Sequence, residues 1–414
     1  MHTRSAVIGR VAVERAEQRA GNRAVLIAPD LSSPFVHADT NAPPTARTRV
    51  TLEGGQGVQV GRWRFGIALG YEGTSDNAEQ STVAVVRRSA VGGARAGVAL
   101  AIGATGRIGL SARRISRNET ANIFANPGTA RLYLLDGFVN VSPQDYVLEA
   151  TPFFRRADRS GTALGVDASG SLLSAAWSAW ASYDRTDEQQ VGAVATNTPV
   201  QRWGTSGYDA GAAAQRTFGD VLLTALATGK MQRGETRRPS ATARQFEADG
   251  NRLTLISDLR WEPEASLWQA AAVIQVDRQW QKATDRAART STDIAAWSPA
   301  VSVELLRKAS DSWSYGAGVG VGFYTPYATI PSINARSTSY LTLVAPALEL
   351  AAASARTNSL SFTIRWRQIS NSIVMRTSWS KTAATQRVID AIYLLKGDRG
   401  QWTVAFSFLP GRSS

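Results

Sequence analysis

The stretch RWRFGIALGYE, residues 62–72, decides the fold. Taken every second residue, one face is Trp63, Phe65, Ile67, Leu69 and Tyr71; the other is Arg62, Arg64, Gly66, Ala68, Gly70 and Glu72. Side chains of a strand alternate between faces, so this is a ribbon with one apolar side and one small or charged side. Aromatics at both ends of the apolar face bracket aliphatics in its middle, the pattern of a strand whose outer face meets lipid. Trp63 to Tyr71 covers about 26 Å at about 3.3 Å per residue, enough to cross the hydrocarbon layer when tilted.

The same pattern recurs. In Arg252–Glu262, Leu253, Leu255, Leu259 and Trp261 oppose Arg252, Thr254, Asp258, Arg260 and Glu262. In Ser266–Trp280, Trp268, Ile274, Val276 and Trp280 oppose Gln269, Gln275, Asp277 and Gln279. In Asp311–Phe323, Trp313, Tyr315, Val319 and Phe323 oppose Ser312, Ser314 and a row of glycines from Gly316 to Gly322. In Leu360–Gln368, Phe362 and Trp366 oppose Ser361, Thr363, Arg365 and Arg367.

The connections alternate. Tight turns are expected near 61, 105, 143, 219, 264 and 309, and long polar loops near 74, 120, 192, 240, 287 and 332. Membrane barrels have short turns at one rim and longer loops at the other, whereas a sandwich mixes its connections. The expectation is all-β: one transmembrane antiparallel up-and-down β-barrel of about eighteen strands, with sixteen to twenty allowed by how 1–31, 82–102 and 372–396 are divided, Gly92-Gly93 marking a bulge or a turn within 82–102. It includes wall strands at Ala130–Val141, Tyr146–Arg156, Tyr340–Ala353 and Arg387–Leu395. Residues 48–410 are assigned to the barrel and 411–414 to a tail. Residues 1–47 form an irregular segment: a first strand, a plug or an extension.

Composition narrows the chemistry. There is no cysteine, and the two histidines, His2 and His37, lie near the N-terminus. The body from residue 38 on therefore lacks Ser-His-Asp and Cys-His nucleophile systems and the usual zinc ligand sets, and no cofactor is expected. Net charge is +13, nearly all from arginine. No Lys/Arg block carries interleaved stacking aromatics, so nucleic acid is not an expected partner. The expected partners are lipid and, through an Arg-rich lumen, anionic solutes. Met1 to Arg15 carries charge throughout and no apolar core of signal-peptide length, so no signal peptide is seen here.

The chain closes on QWTVAFSFLP, residues 401–410, with Trp402, Val404, Phe406 and Phe408 on one face. This resembles the C-terminal strand of bacterial outer-membrane β-barrel proteins, which the barrel-assembly machinery reads as an edge with alternating aromatics. It departs from them in the tail, Leu409 to Ser414, that follows the last aromatic. The chain is most similar to the uncharacterised outer-membrane barrel families. The resemblance implies the bacterial outer membrane as location and the assembly machinery as a partner.

Alternation places Arg62, Arg64, Glu72, Arg107, Arg113, Arg155, Arg252, Asp258, Arg260, Asp277, Glu304, Arg365 and Arg367 on the lumen side as candidates for solute selectivity. It places Trp63, Phe65, Tyr71, Trp261, Trp268, Trp280, Trp313, Tyr315, Phe323 and Trp366 on the lipid side. Opposed charges in a wet lumen form structural ion pairs by default, so catalysis by the inner carboxylates is the weaker reading and no catalytic residue is assigned. The functional expectation is a passive channel, or a structural or partner-binding barrel. The alternatives are a soluble all-β surface protein, and an outer-membrane enzyme working through lumen carboxylates.

Overall fold

The computed structural model describes residues 3–18, 35–39, 45–79, 83–125, 131–136, 140–141, 146–147, 153–191, 199–237, 244–263, 266–286, 290–329, 352–367, 371–384 and 399–410. In chain order the first strands are β1 (Thr3–Gln18), β2 (Phe35–Asp39), β3 (Thr45–Val60), β4 (Trp63–Glu79), β5 (Val83–Ile102) and β6 (Gly106–Ala125). Next come β7 (Arg131–Asp136), β8 (Asn140–Val141), β9 (Tyr146–Val147), β10 (Phe153–Leu172), β11 (Ala175–Val191), β12 (Pro199–Phe218) and β13 (Val221–Arg237). The rest are β14 (Arg244–Trp261), β15 (Trp268–Asp285), β16 (Thr290–Lys308), β17 (Trp313–Thr329), β18 (Ala355–Arg367), β19 (Asn371–Ala384) and β20 (Arg399–Pro410).

Among the described residues, sixteen of these strands close into an antiparallel barrel. Closure runs through β1, which pairs with β3 from Thr3↔Val60 onward and with β20 from Ala12↔Ser407 to Gln18↔Gln401. Summed round the barrel, the registers give a stagger of about 18 residues, which sets a strand tilt near 40° and a backbone diameter of about 30 Å.

Three expectations need correction. The hairpin around residue 143 is not part of the wall: β7, β8 and β9 join β2 in a separate small sheet, and β10 pairs directly with β6. Residues 74 and 120 lie inside β4 and β6, not in loops. Their outer faces have left the lipid, so the apolar alternation stops while the hydrogen-bonded ladder continues. Gly92 and Gly93 interrupt nothing, since β5 pairs with β4 without a shift through Tyr71↔Gly92 and Gly70↔Gly93. The strands expected at Tyr340–Ala353 and Arg387–Leu395 lie outside the described residues, apart from a turn at Ala352 and Ala353.

The tight turns follow from local chemistry. Gly61 (φ 61°) and Gly219 (φ 58°) take the positive φ that two-residue hairpins demand, and Gly103 (φ 61°) opens the three-residue turn between Ile102 and Gly106. At the β10–β11 turn, Leu173 (φ 50°) and Ser174 (φ 61°) adopt it without a glycine, at some steric cost.

Directly paired residues share a face, so the registers sort the wall into two surfaces. The outer one carries Trp63, Phe65, Tyr71, Trp261, Trp268, Trp313, Tyr315 and Phe323, all exposed, with Leu69 (61% exposed) and Val319 (60%) between the aromatic ends. Trp280 and Trp366 are half-buried on the same face, and Trp366 packs against Trp313 in a tilted arrangement, ring centroids 6.2 Å apart. Arginines lie over aromatics at its margins: Arg307 over Trp268, Arg278 over Trp297 and Arg356 over Phe323. An apolar belt of this extent on a closed barrel has lipid as its solvent.

Candidate functional site

The inner face is sorted by charge. Towards the long-loop end of β3–β6 and β10–β11, arginines and carboxylates pair. Arg47 and Arg87 meet Asp76 at 3.0 and 4.0 Å, Arg117 meets Glu119 at 2.9 Å, and Arg159 meets Glu188 at 3.3 Å. Arg49 bridges Glu72 and Glu14. Asp76 and Arg87 are 1% and 2% exposed, so water is excluded at that pair, whereas Arg47 and Arg49 beside it stay exposed. Next to it Trp203, 2% exposed, packs at 6.1 Å on Phe246 and lies across Gly234. A Cβ at Gly234 would fall 2.0 Å from the indole, so only glycine fits.

On the β14–β19 side the carboxylates are also paired, while Arg376 donates to Ser361 Oγ. Arg252 donates to Asp277 (3.1 Å), which also accepts from Thr254 and Gln275. Arg260 donates to Asp258 (2.7 Å), and Glu304 accepts from Thr363. Each inner carboxylate nominated from the sequence thus faces a donor, which is the ion-pair arrangement expected of a wet lumen. The glycine row of β17 has a packing cause: a Cβ at Gly316 would fall 2.1 Å from the Leu305 carbonyl, and at Gly320 2.7 Å from Ser359 Oγ. Beside it, a cavity of about 480 Å³ is lined by Gln275, Ser302, Thr357, Ser359 and Thr382. The polar part of its lining is mostly hydroxyl.

The middle of β4–β6 differs. Arg64, Arg95, Arg107 and Arg113 stand on the inner face of three neighbouring strands. Arg95 and Arg113 are direct cross-strand partners. Among the described residues no carboxylate lies within ion-pairing distance of these four. Arg95 donates to Ser111 Oγ at 3.1 Å, and the buried Nε of Arg107 has no acceptor. Between Arg64 and the Arg95–Arg113 pair runs one registered row of small residues, Gly57, Gly66, Gly97, Ser111 and Gly165. The arginines therefore overlook a shallow, open floor. Asp167 marks its margin, its carboxylate lying over Gly109, where a Cβ would fall 2.7 Å from Oδ1.

Of the other nominated residues, Arg62 sits in the Gly61–Arg62 turn, where its carbonyl accepts from the Ala101 amide, so it belongs to the rim and not the stave. Arg365 is on the inner face opposite Ser314. Arg155 and Arg367 lie within β10 and β18, but their side chains are outside the described residues. So are those of Trp402, Phe406 and Phe408, whose backbones pair with Trp379, Met375 and Ile373. Sequence reasoning missed Arg95. Its signal was present, because counting down from Leu100, Val98 and Ala96 puts Arg95 on the inner face.

The geometry is that of a transmembrane β-barrel of the outer-membrane type. Residues 17–409 match the model of a family described as "Family of unknown function (DUF6850)", and the chain belongs to that family. No curated protein matches the sequence. Among solved structures it is similar to CdiB from Acinetobacter baumannii (11% identity, TM-score 0.42, 97% of this chain and 60% of that one). It is also similar to a mutant of the monoaromatic hydrocarbon channel TodX, a P. putida toluene transporter (11%, 0.38, 98% and 90%). A third is the ferric citrate transporter FecA (11%, 0.46, 96% and 55%). The chain thus spans less than two thirds of CdiB and of FecA. At these values the likenesses say nothing of substrate or activity here.

Proposed function

We propose that the chain forms a passive, anion-preferring pore in the bacterial outer membrane. The observation that carries the reading is the Arg95–Arg113 cross-strand pair, flanked by Arg64 and Arg107 and, among the described residues, unmatched by a carboxylate. Like charges directly opposite on neighbouring strands repel. At about 6 Å in a water-filled lumen each pair costs about 0.7 kcal/mol, small enough to be held by the barrel and relieved by a passing anion. A sixteen-strand barrel is wide enough to leave an aqueous channel, and rings of arginine select for anions. The small-residue floor keeps the guanidinium groups accessible. The terminal strand with Trp402, Phe406 and Phe408 fits recognition by the barrel-assembly machinery.

The test is a planar bilayer with a potassium chloride gradient. The wild type should show an anion-to-cation permeability ratio above one, and Arg95→Gln/Arg113→Gln should bring it towards or below one. A cation-selective wild type, or a ratio unmoved by the double substitution, sinks the proposal. A second reading, a closed structural or partner-binding barrel, is favoured by the covered inner face at the loop end, where Trp203 and Thr236 are 2% and 1% exposed. Absence of conductance in correctly folded protein would select it.

A further inference from the structure

The outer surface of β11–β13 breaks the pattern of the belt. Where neighbouring strands carry large side chains, this face carries Ala179, Ala212, Ala214, Ala225 and Ala227, which floor an open groove of about 550 Å³ walled by Trp177, Leu255 and Ile274. At its upper end Tyr183 and Tyr208 pack at 5.0 Å. One step beyond them on the same face runs a registered row, Arg114↔Thr162↔Arg185↔Ser206↔Arg233. Arginine and hydroxyl alternate along it, so successive arginines stand two strands apart, roughly 10 Å. All three are exposed. Of the carboxylates nearby on this face, Asp158 is engaged by Arg156 at 2.7 Å and Asp249 forms a long ion pair with Arg233 at 3.8 Å, so among the described residues Arg114 and Arg185 carry the unbalanced charge of the row. Asp187 is one step above Arg185, and no ion pair is formed between them among the described residues.

We infer that this face holds an anionic phospholipid, its phosphate gripped by the arginine–hydroxyl row and an acyl chain lying in the alanine groove. Guanidinium groups bind phosphate oxygens in bidentate fashion, and the hydroxyls of Thr162 and Ser206 supply further donors between them. The groove is continuous with the lipid-facing belt, so its occupant enters from the bilayer. A second copy of the chain fits less well, because a symmetric contact through this face sets one arginine row against another.

Native mass spectrometry of the full chain, folded in mixed micelles with equal phosphatidylglycerol and phosphatidylcholine of identical acyl chains, tests it. An arginine near an anionic surface is worth about fivefold in binding, so the wild type should retain phosphatidylglycerol at least about tenfold over phosphatidylcholine. Arg114→Gln/Arg185→Gln/Arg233→Gln should drop that ratio below about twofold, and Arg185→Gln alone should lower it partway. Ala212→Phe should reduce retention of both lipids while keeping their ratio, since it fills the groove and spares the row. An unchanged ratio in the triple variant overturns the inference. So does efficient Ala212→Cys cross-linking between chains, which would make a second copy the occupant.

Discussion

Arginine substitution at Ile67 and at its chain neighbour Ala68 separates the two faces of the founding strand. Ile67 is four residues from Trp63 and four from Tyr71, so along a strand tilted near 40° it stands about 10 Å above the lower aromatic girdle, at the middle of the belt. Its side chain points outward, 56% exposed to what is lipid in place. Arginine at that depth costs about 2–4 kcal/mol. Ala68 is on the inner face, paired with Arg95. An arginine there meets water and one like charge, about 1 kcal/mol at lumen dielectric. The expected difference is therefore about 1–3 kcal/mol from moving one residue along the chain. Val319 and Gly318 would be a poorer pair, because a Cβ at Gly318 already falls 2.8 Å from Ser361 Oγ, and the inner substitution would be penalised for packing. The assay is urea unfolding of protein folded into vesicles, followed by tryptophan fluorescence. Equal costs at both positions, or a larger cost at Ala68, would refute the assignment of faces.

Asp76→Ala should destabilise the barrel by about 3 kcal/mol in the same assay, because it removes a buried carboxylate that meets Arg47 at 3.0 Å and the buried Arg87 at 4.0 Å. A loss below about 1 kcal/mol would mean that the paired band adds little. Ser174→Gly should stabilise by about 1 kcal/mol, since glycine takes the φ of 61° without steric cost. Destabilisation there would show that the Ser174 hydroxyl, not its backbone, governs the turn.

What could be read from the chain, and what could not, divides along one physical line. Wherever lipid touches the wall it imposes a period-two pattern, so Trp63–Tyr71 and Trp313–Phe323 declare their faces without any knowledge of their neighbours. Above the belt the same strands run on through Asp76 and Glu119 with no such pattern, and there reading fails: the loops expected at 74 and 120 are wall. The inner charges are a different case. Arg252 and Arg95 look alike in sequence, each an arginine on the polar face of an alternating strand. What separates them is register. The β14–β15 pairing sets Asp277 opposite Thr254, one step from Arg252, and closes an ion pair. The β4–β5 and β5–β6 pairings set Arg95 between Ala68 and Arg113 and leave it open. A slip of two residues between β5 and β6 would keep every side chain on its own face yet dissolve the Arg95–Arg113 pair. The lumen's charge is thus a property of the ladder and not of any stave, and Arg64, first seen as one cation on one ribbon, gains its meaning from partners two strands away.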